Sequence, residues 1–153
     1  MFEYNIISKP IRLNSNKKVI DNIFETIEKK VEKSQNWVIN IIFESDEVIR
    51  ELNKWYRTID KTTDVLSFHY FDTYDGVDKK TVAWEIILSS SKIESQAAEY
   101  WIKDEEELYK LLIHSILHLL WYDHETDEDY EEMNKLEKEI ETDVNEKFGL
   151  NIK

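Results

Sequence analysis

WVINIIF, residues 37–43, is the stretch on which the fold turns. It is a short run dominated by β-branched and aromatic side chains, the composition of a strand that packs on both faces. A second such run, FEYNIIS, occupies residues 2–8. Between them Val19, Ile20, Ile23, Phe24, Ile27 and Val31 recur at the spacing of one helix face. Strand, amphipathic helix and strand in this order predict a β-α-β unit. Downstream, Ser45 reads as an N-cap with Asp46 and Glu47 in the first turn, and Val48, Ile49, Leu52, Trp55, Tyr56 and Ile59 mark a second amphipathic helix. VLSFHY (65–70) and TVAWEIILS (81–89) read as two strands joined by the polar loop around Asp75 and Gly76. Helices over about 91–102, 105–121 and 126–147 complete the chain, the last two opened by caps at Asp104 and Thr126. The expected class is α/β or α+β. A small mixed four-stranded sheet is packed with about five helices in one domain over residues 1–153.

Composition narrows the chemistry. A chain of 153 residues without cysteine has no disulfide, no thiolate nucleophile and no cysteine-ligated metal, so a soft-metal ligand must be histidine. MFEYNIISKP lacks a basic segment followed by an apolar run, and nowhere do eighteen apolar residues follow one another. The expectation is a soluble, cytoplasmic protein with no membrane partner. A net charge of −13 opposes broad contact with phosphate backbones, so no DNA partner is expected and any nucleic-acid role must be local. Residues 125–147 alone hold eleven Asp or Glu against three Lys, the pattern of a solvated helix face.

Three of the four histidines fall in HSILHLLWYDH, residues 114–124. On a helix, His114 and His118 share a face one turn apart. His124 follows a break in the apolar pattern, where the chain could turn back and bring a third imidazole to the same point. Three neutral ligands around a divalent ion leave a fourth position for water, as in catalytic zinc sites. The plainer alternative is a set of partly buried histidines on an apolar helix. His69, isolated in a strand, is expected to be an ordinary core histidine. Zinc proteases place Glu directly after the first histidine of such a pair; Ser115 stands there, which weighs against a peptide hydrolase. Asp123, next to His124, could orient an imidazole, the alternative being an ordinary exposed turn aspartate.

The one basic feature is Arg50, Lys54, Arg57 and Lys61, spaced four, three and four apart. On a continuous helix they would form a stripe opposite the apolar face, a candidate phosphate contact in which the planar Arg fork suits two oxygens at once. Helical geometry is expected to stop near Arg57, before Thr58, Asp60, Thr62 and Thr63. Lys54 and Lys61 remain candidate substrate contacts.

At this point the sequence resembles the YbeY family of bacterial endoribonucleases. The family's H-G-x-L-H-L-x-G-Y-D-H is matched by HSILHLLWYDH, and its L-N-x-x-Y-R-x-x-D-x-x-T-D-V-L-S-F by LNKWYRTIDKTTDVLSF, residues 52–68. Met133, Leu136 and Glu137 match its M-x-x-L-E. The resemblance implies one zinc, or another divalent transition metal, on His114, His118 and His124, with Arg57 as a catalytic residue beside it. It also implies single-stranded RNA as substrate, notably precursor small-subunit ribosomal RNA, with the ribosome and ribosomal proteins as partners. A binding protein of ribosome assembly with a structural metal and lost catalysis is the competing reading.

The departures from the family pattern are systematic. Ser115 and Trp121 replace glycines, His69 replaces a proline, and Trp84, Glu85 and Ile86 stand for G-D-I. Trp121 is expected to strain the turn between the second and third ligands by about 1–2 kcal/mol if that position needs positive φ. Trp84 and Trp121 are expected to fill space that substrate needs, so that metal binding survives better than catalysis.

Overall fold

The β-α-β unit forms as its pattern predicts. A computed structural model describes residues 3–31, 38–71, 75–121 and 126–153. The element order is β1 (Glu3–Ile7), α1 (Lys17–Lys30), β2 (Val38–Glu44), α2 (Asp46–Arg57), β3 (Val65–His69), β4 (Val82–Ser89), α3 (Ser90–Tyr100), α4 (Asp104–Trp121) and α5 (Asp127–Phe148). The sheet order is β1-β2-β4-β3. β1, β2 and β4 run parallel, and β3 pairs antiparallel with β4 from Val65↔Leu88 to His69↔Trp84. β3 is therefore an edge strand, with one side not covered by another strand of the sheet.

Alternation along the strands divides the core between the two sheet faces. Ile39, Ile41 and Phe43 of β2 and Trp84, Ile86 and Leu88 of β4 are buried in one cluster with Ile20 and Ile23 of α1, Ile116 of α4 and Ile140 of α5. The opposite face is smaller: Leu66 and Ile87 pack with Ile49 of α2, flanked by Ile42, Leu52 and Phe68. Each fully buried aliphatic side chain contributes about 1.5–3 kcal/mol relative to exposure, so the larger cluster carries most of the stability.

Capping chemistry sets the helix ends. Ser45 and Thr126 cap α2 and α5 as expected, their hydroxyls accepting from the N–H groups of Val48 and Asp129. Asp104 is not the cap of α4. It lies in the first turn, and the Glu106 carboxylate reaches back to the Lys103 N–H at 2.8 Å, the return half of a capping box. α3 begins at Ser90, capped by Ser89, whose hydroxyl also donates to Asp46 Oδ1 at 2.5 Å. Ser91 donates to Asp46 Oδ2 at 2.9 Å. Asp46 thus ties the first turn of α2 to the first turn of α3 across the end of the sheet.

Two predictions follow from these local features. The Ser89 and Ser91 hydroxyls hold the half-buried Asp46 carboxyl below its usual pKa. Its stabilising contribution is present above the unfolded aspartate pKa of about 3.9 and is lost as pH falls through the lowered folded value. Urea unfolding of Asp46→Ala at pH 7 should show a loss of up to about 1 kcal/mol after solvent screening, vanishing at strongly acidic pH. Separately, Trp101 holds φ of 57° at the end of α3 with its side chain 90% exposed. Relief of a left-handed non-glycine residue is worth about 1–2 kcal/mol, less the entropy that glycine adds to the unfolded chain. Trp101→Gly should therefore raise the urea midpoint; an unchanged or lower midpoint would show that the tryptophan ring makes a compensating contribution.

Candidate active site

Helix α4 is apolar on almost every side. Across residues 111–120 every side chain is buried except His114, which is half-buried, and His118, which is exposed. The four-residue spacing sets the two imidazoles side by side, ring centres 5.1 Å apart and planes at 79°. They open into a cleft of about 430 Å³ between α4, the edge strand β3 and the end of α2.

β3 presents Val65, Ser67 and His69 to this cleft, the three odd positions of the strand. His69 is therefore not a core histidine. It is exposed on the cleft wall, its ring edge-on to Trp84 at 5.8 Å. Trp84 itself is fully buried in the core and leaves the cleft open, contrary to the expectation that it would fill substrate space. Ser115, which stands where the family has glycine, sits inside α4, where a serine needs no positive φ, and its hydroxyl is buried without a hydrogen-bond partner among the described residues.

Arg57 is the last residue of α2 and lines the same cleft. The helix stops there because Thr58 turns left-handed, φ 57°, its N–H returning to the carbonyls of Asn53 and Lys54. The four-residue basic stripe is thereby broken. Arg50 pairs with Asp60 at 2.8 Å, both more than half exposed. Lys61 lies beyond the helix, where its carbonyl accepts from Asn53 Nδ2 at 2.8 Å. Lys54 and Lys61 are not among the described residues that line the cleft. Asp123 and His124 lie outside the described residues.

Two carboxylates complete the surroundings. Glu137 of α5, nearly buried, accepts from His114 Nδ1 at 3.2 Å. That hydrogen bond raises the His114 pKa above its ordinary value, outweighing the opposing effect of burial. With Nδ1 committed, the His114 Nε2 lone pair is the one left for a ligand. Asp64, directly before β3, lines the cleft and accepts from Gln96 Nε2 at 3.3 Å. Spacing arguments assigned neither carboxylate a role. Strand parity from Val65 could have drawn Ser67 and His69 into the site, whereas Glu137 looks like any other acidic residue of α5.

The spacing of the two imidazoles is compatible with a shared tetrahedral ion. Zinc bonded at about 2.0–2.1 Å places two imidazole centres about 5 Å apart, and the observed separation is 5.1 Å. Among the described residues no group of three or more His, Asp or Glu could hold a metal.

The family model described as Endoribonuclease YbeY matches residues 3–145. The chain belongs to the YbeY family. An Endoribonuclease YbeY of Thermoanaerobacter is 38% identical over 137 residues, covering 83% of this chain and 86% of the relative. One from Acetivibrio thermocellus is 37% identical over 145 residues, covering 83% and 90%. The solution structure of TM1509 from Thermotoga maritima is 31% identical with a TM-score of 0.58, covering 97% of this chain and 91% of that one. The matched region includes both YbeY blocks that carry Arg57, His114 and His118.

Glu137 gives this site a direct test. Loss of a carboxylate that orients a metal-binding imidazole typically weakens metal affinity by about 10–100-fold. Glu137→Gln should do so in a competition titration against a chromophoric chelator, with the fold intact by circular dichroism; unchanged affinity would separate Glu137 from metal binding.

Proposed function

We propose that this chain is a single-strand-specific, metal-dependent endoribonuclease of ribosomal RNA processing. It would act in 3′-end maturation of the small-subunit RNA and in ribosome quality control, in the cytoplasm and in company with ribosomal proteins. The observation that carries this reading is the convergence of Arg57, His114 and His118, from two sequence blocks and two helices, on one open cleft. Family membership and the name of the relatives support it. No helix among the described residues is long and apolar enough to cross a membrane.

His114 and His118, with His124 as the proposed third ligand, would hold the ion. When bound, zinc supplies Lewis-acid chemistry and acidifies water at neutral pH. Glu137 fixes the His114 ring by its Nδ1 and keeps Nε2 directed away from itself. Arg57 offers a planar donor fork to two phosphate oxygens, holding the scissile group and offsetting charge that develops on it. The cleft's single Arg, in a strongly acidic chain, favours recognition of one well-placed phosphate over a field that attracts any duplex.

Untagged protein should carry near-stoichiometric zinc or another transition metal by elemental analysis. It should cut a single-stranded fragment spanning the 3′ end of precursor small-subunit RNA and spare the same sequence in duplex. Arg57→Ala and His114→Ala should each lower kcat by about 10²–10³-fold. Equal activity in all three proteins would reject the catalytic roles, and retained metal with no cleavage would favour a ribosome-assembly binding protein.

A further inference from the structure

Beside His114 the cleft continues into a second depression of about 230 Å³. Asp64, Leu111 and His114 line both, so a molecule held in one can extend into the other. One wall is the Tyr100 ring, 45% exposed, with Lys110 Nζ lying over it 4.9 Å from its centre, so a base that stacks on the face under the ammonium must displace the flexible lysine side chain. The rest of the lining is rich in acceptors. Glu107 is only 1% exposed; its Oε1 accepts from Gln96 Nε2 at 2.8 Å, and its Oε2 has no hydrogen-bond partner among the described residues. The same Gln96 nitrogen reaches Asp64 Oδ2 at 3.3 Å and Thr63 Oγ1 donates to Asp64 Oδ1 at 3.3 Å, so each Asp64 oxygen accepts one long hydrogen bond and keeps a lone pair for a further donor.

An unpartnered buried carboxylate oxygen is costly, and it marks a place where donors are lacking. Three ligand classes can be weighed against this lining. A phosphate would meet Asp64, Glu107 and Glu137 against a single lysine, and like charges at close range repel it. A metal ion would leave the aromatic wall unused, and calorimetry distinguishes it from a base. A nucleobase suits both parts of the depression: its flat face stacks on an aromatic ring, and its N–H edge meets the acceptors. Guanine presents N1–H and its 2-amino group side by side, matching the two oxygens of one carboxylate. Adenine sets the N1 lone pair beside its amino group and would turn that lone pair toward the carboxylate.

We propose that this depression is a guanine-selective nucleobase subsite, taking the base of a nucleotide next to the one whose phosphate reaches Arg57 and the histidine pair. The proposal rests on the ribonuclease reading above and adds a specificity to it. Tyr100 supplies the stacking face. Asp64, the more open carboxylate, receives the base edge, and Glu107 keeps the floor electronegative while holding Gln96 in place.

The test uses untagged, metal-loaded protein and labelled seven-nucleotide RNAs of uridine carrying one guanosine, adenosine or inosine at each internal position in turn. Binding is read by fluorescence anisotropy and cleavage by gel. Guanosine at one position should tighten binding and lower KM about tenfold, the scale of one stacked base, with inosine, which lacks the 2-amino group, intermediate. Tyr100→Ala should abolish the preference and Tyr100→Phe should keep it. Equal binding of all three bases at every position would overturn the subsite, as would a preference that survives Tyr100→Ala. A saturable Mg²⁺ site seen by calorimetry and lost in Glu107→Gln, without base preference, would also overturn it in favour of a cation. Base-selective binding without cleavage of any RNA would instead leave the subsite standing and remove the ribonuclease reading.

Discussion

Helix α4 must serve as the central helix of the core and still open two imidazoles to solvent. Between residues 111 and 120 it is buried except at His114 and His118. Polar groups in such a setting persist only where they find partners or open space. The open space comes from the sheet order, because β3 is an edge strand and the end of α4 passes beside it rather than beneath a further strand. The partner comes from α5, through Glu137. The site is therefore a gap in the packing around one helix, bounded by groups that three other elements deliver.

Delivery of Arg57 depends on where α2 ends. Had the helix continued to Lys61, the four basic residues would have formed one exposed stripe. The left-handed turn at Thr58 leaves Arg57 as the last helical residue and spends Arg50 on an ion pair with Asp60. One guanidinium then faces the cleft. In a chain of net charge −13, this suits a site that recognises local geometry more than overall potential. The neighbouring depression extends that logic, since carboxylates that would repel a backbone are suited to the N–H edge of a base.

Much of this was legible in the sequence. Periodicity identified the four strands and five helices seen among the described residues, and two of the three caps it singled out, Ser45 and Thr126, follow ordinary hydroxyl chemistry, while the Ser89 cap of α3 went unread. Asp104 misled because any acidic residue before an apolar run resembles a cap, while the group that closes the turn, Glu106, stands two residues later. Trp84 and His69 misled for a related reason. Trp84 was read from the glycine it replaces and His69 from its isolation in a strand, yet strand parity and sheet order send Trp84 into the core and His69 to the cleft wall.

The sequence by itself determined the elements, the shared face of His114 and His118, and the place where α2 would end, because these depend on spacings within a few residues. Tertiary structure decided which distant groups meet them. Glu137 lies 23 residues from His114 and is one of many carboxylates on α5, and only helix packing selects it. Asp64, Gln96 and Glu107 come from the start of β3, α3 and α4, and become neighbours because the sheet and helices fold back on one another. Local spacing is set by backbone geometry, whereas such contacts are set by the burial of whole faces, which no short window of sequence contains.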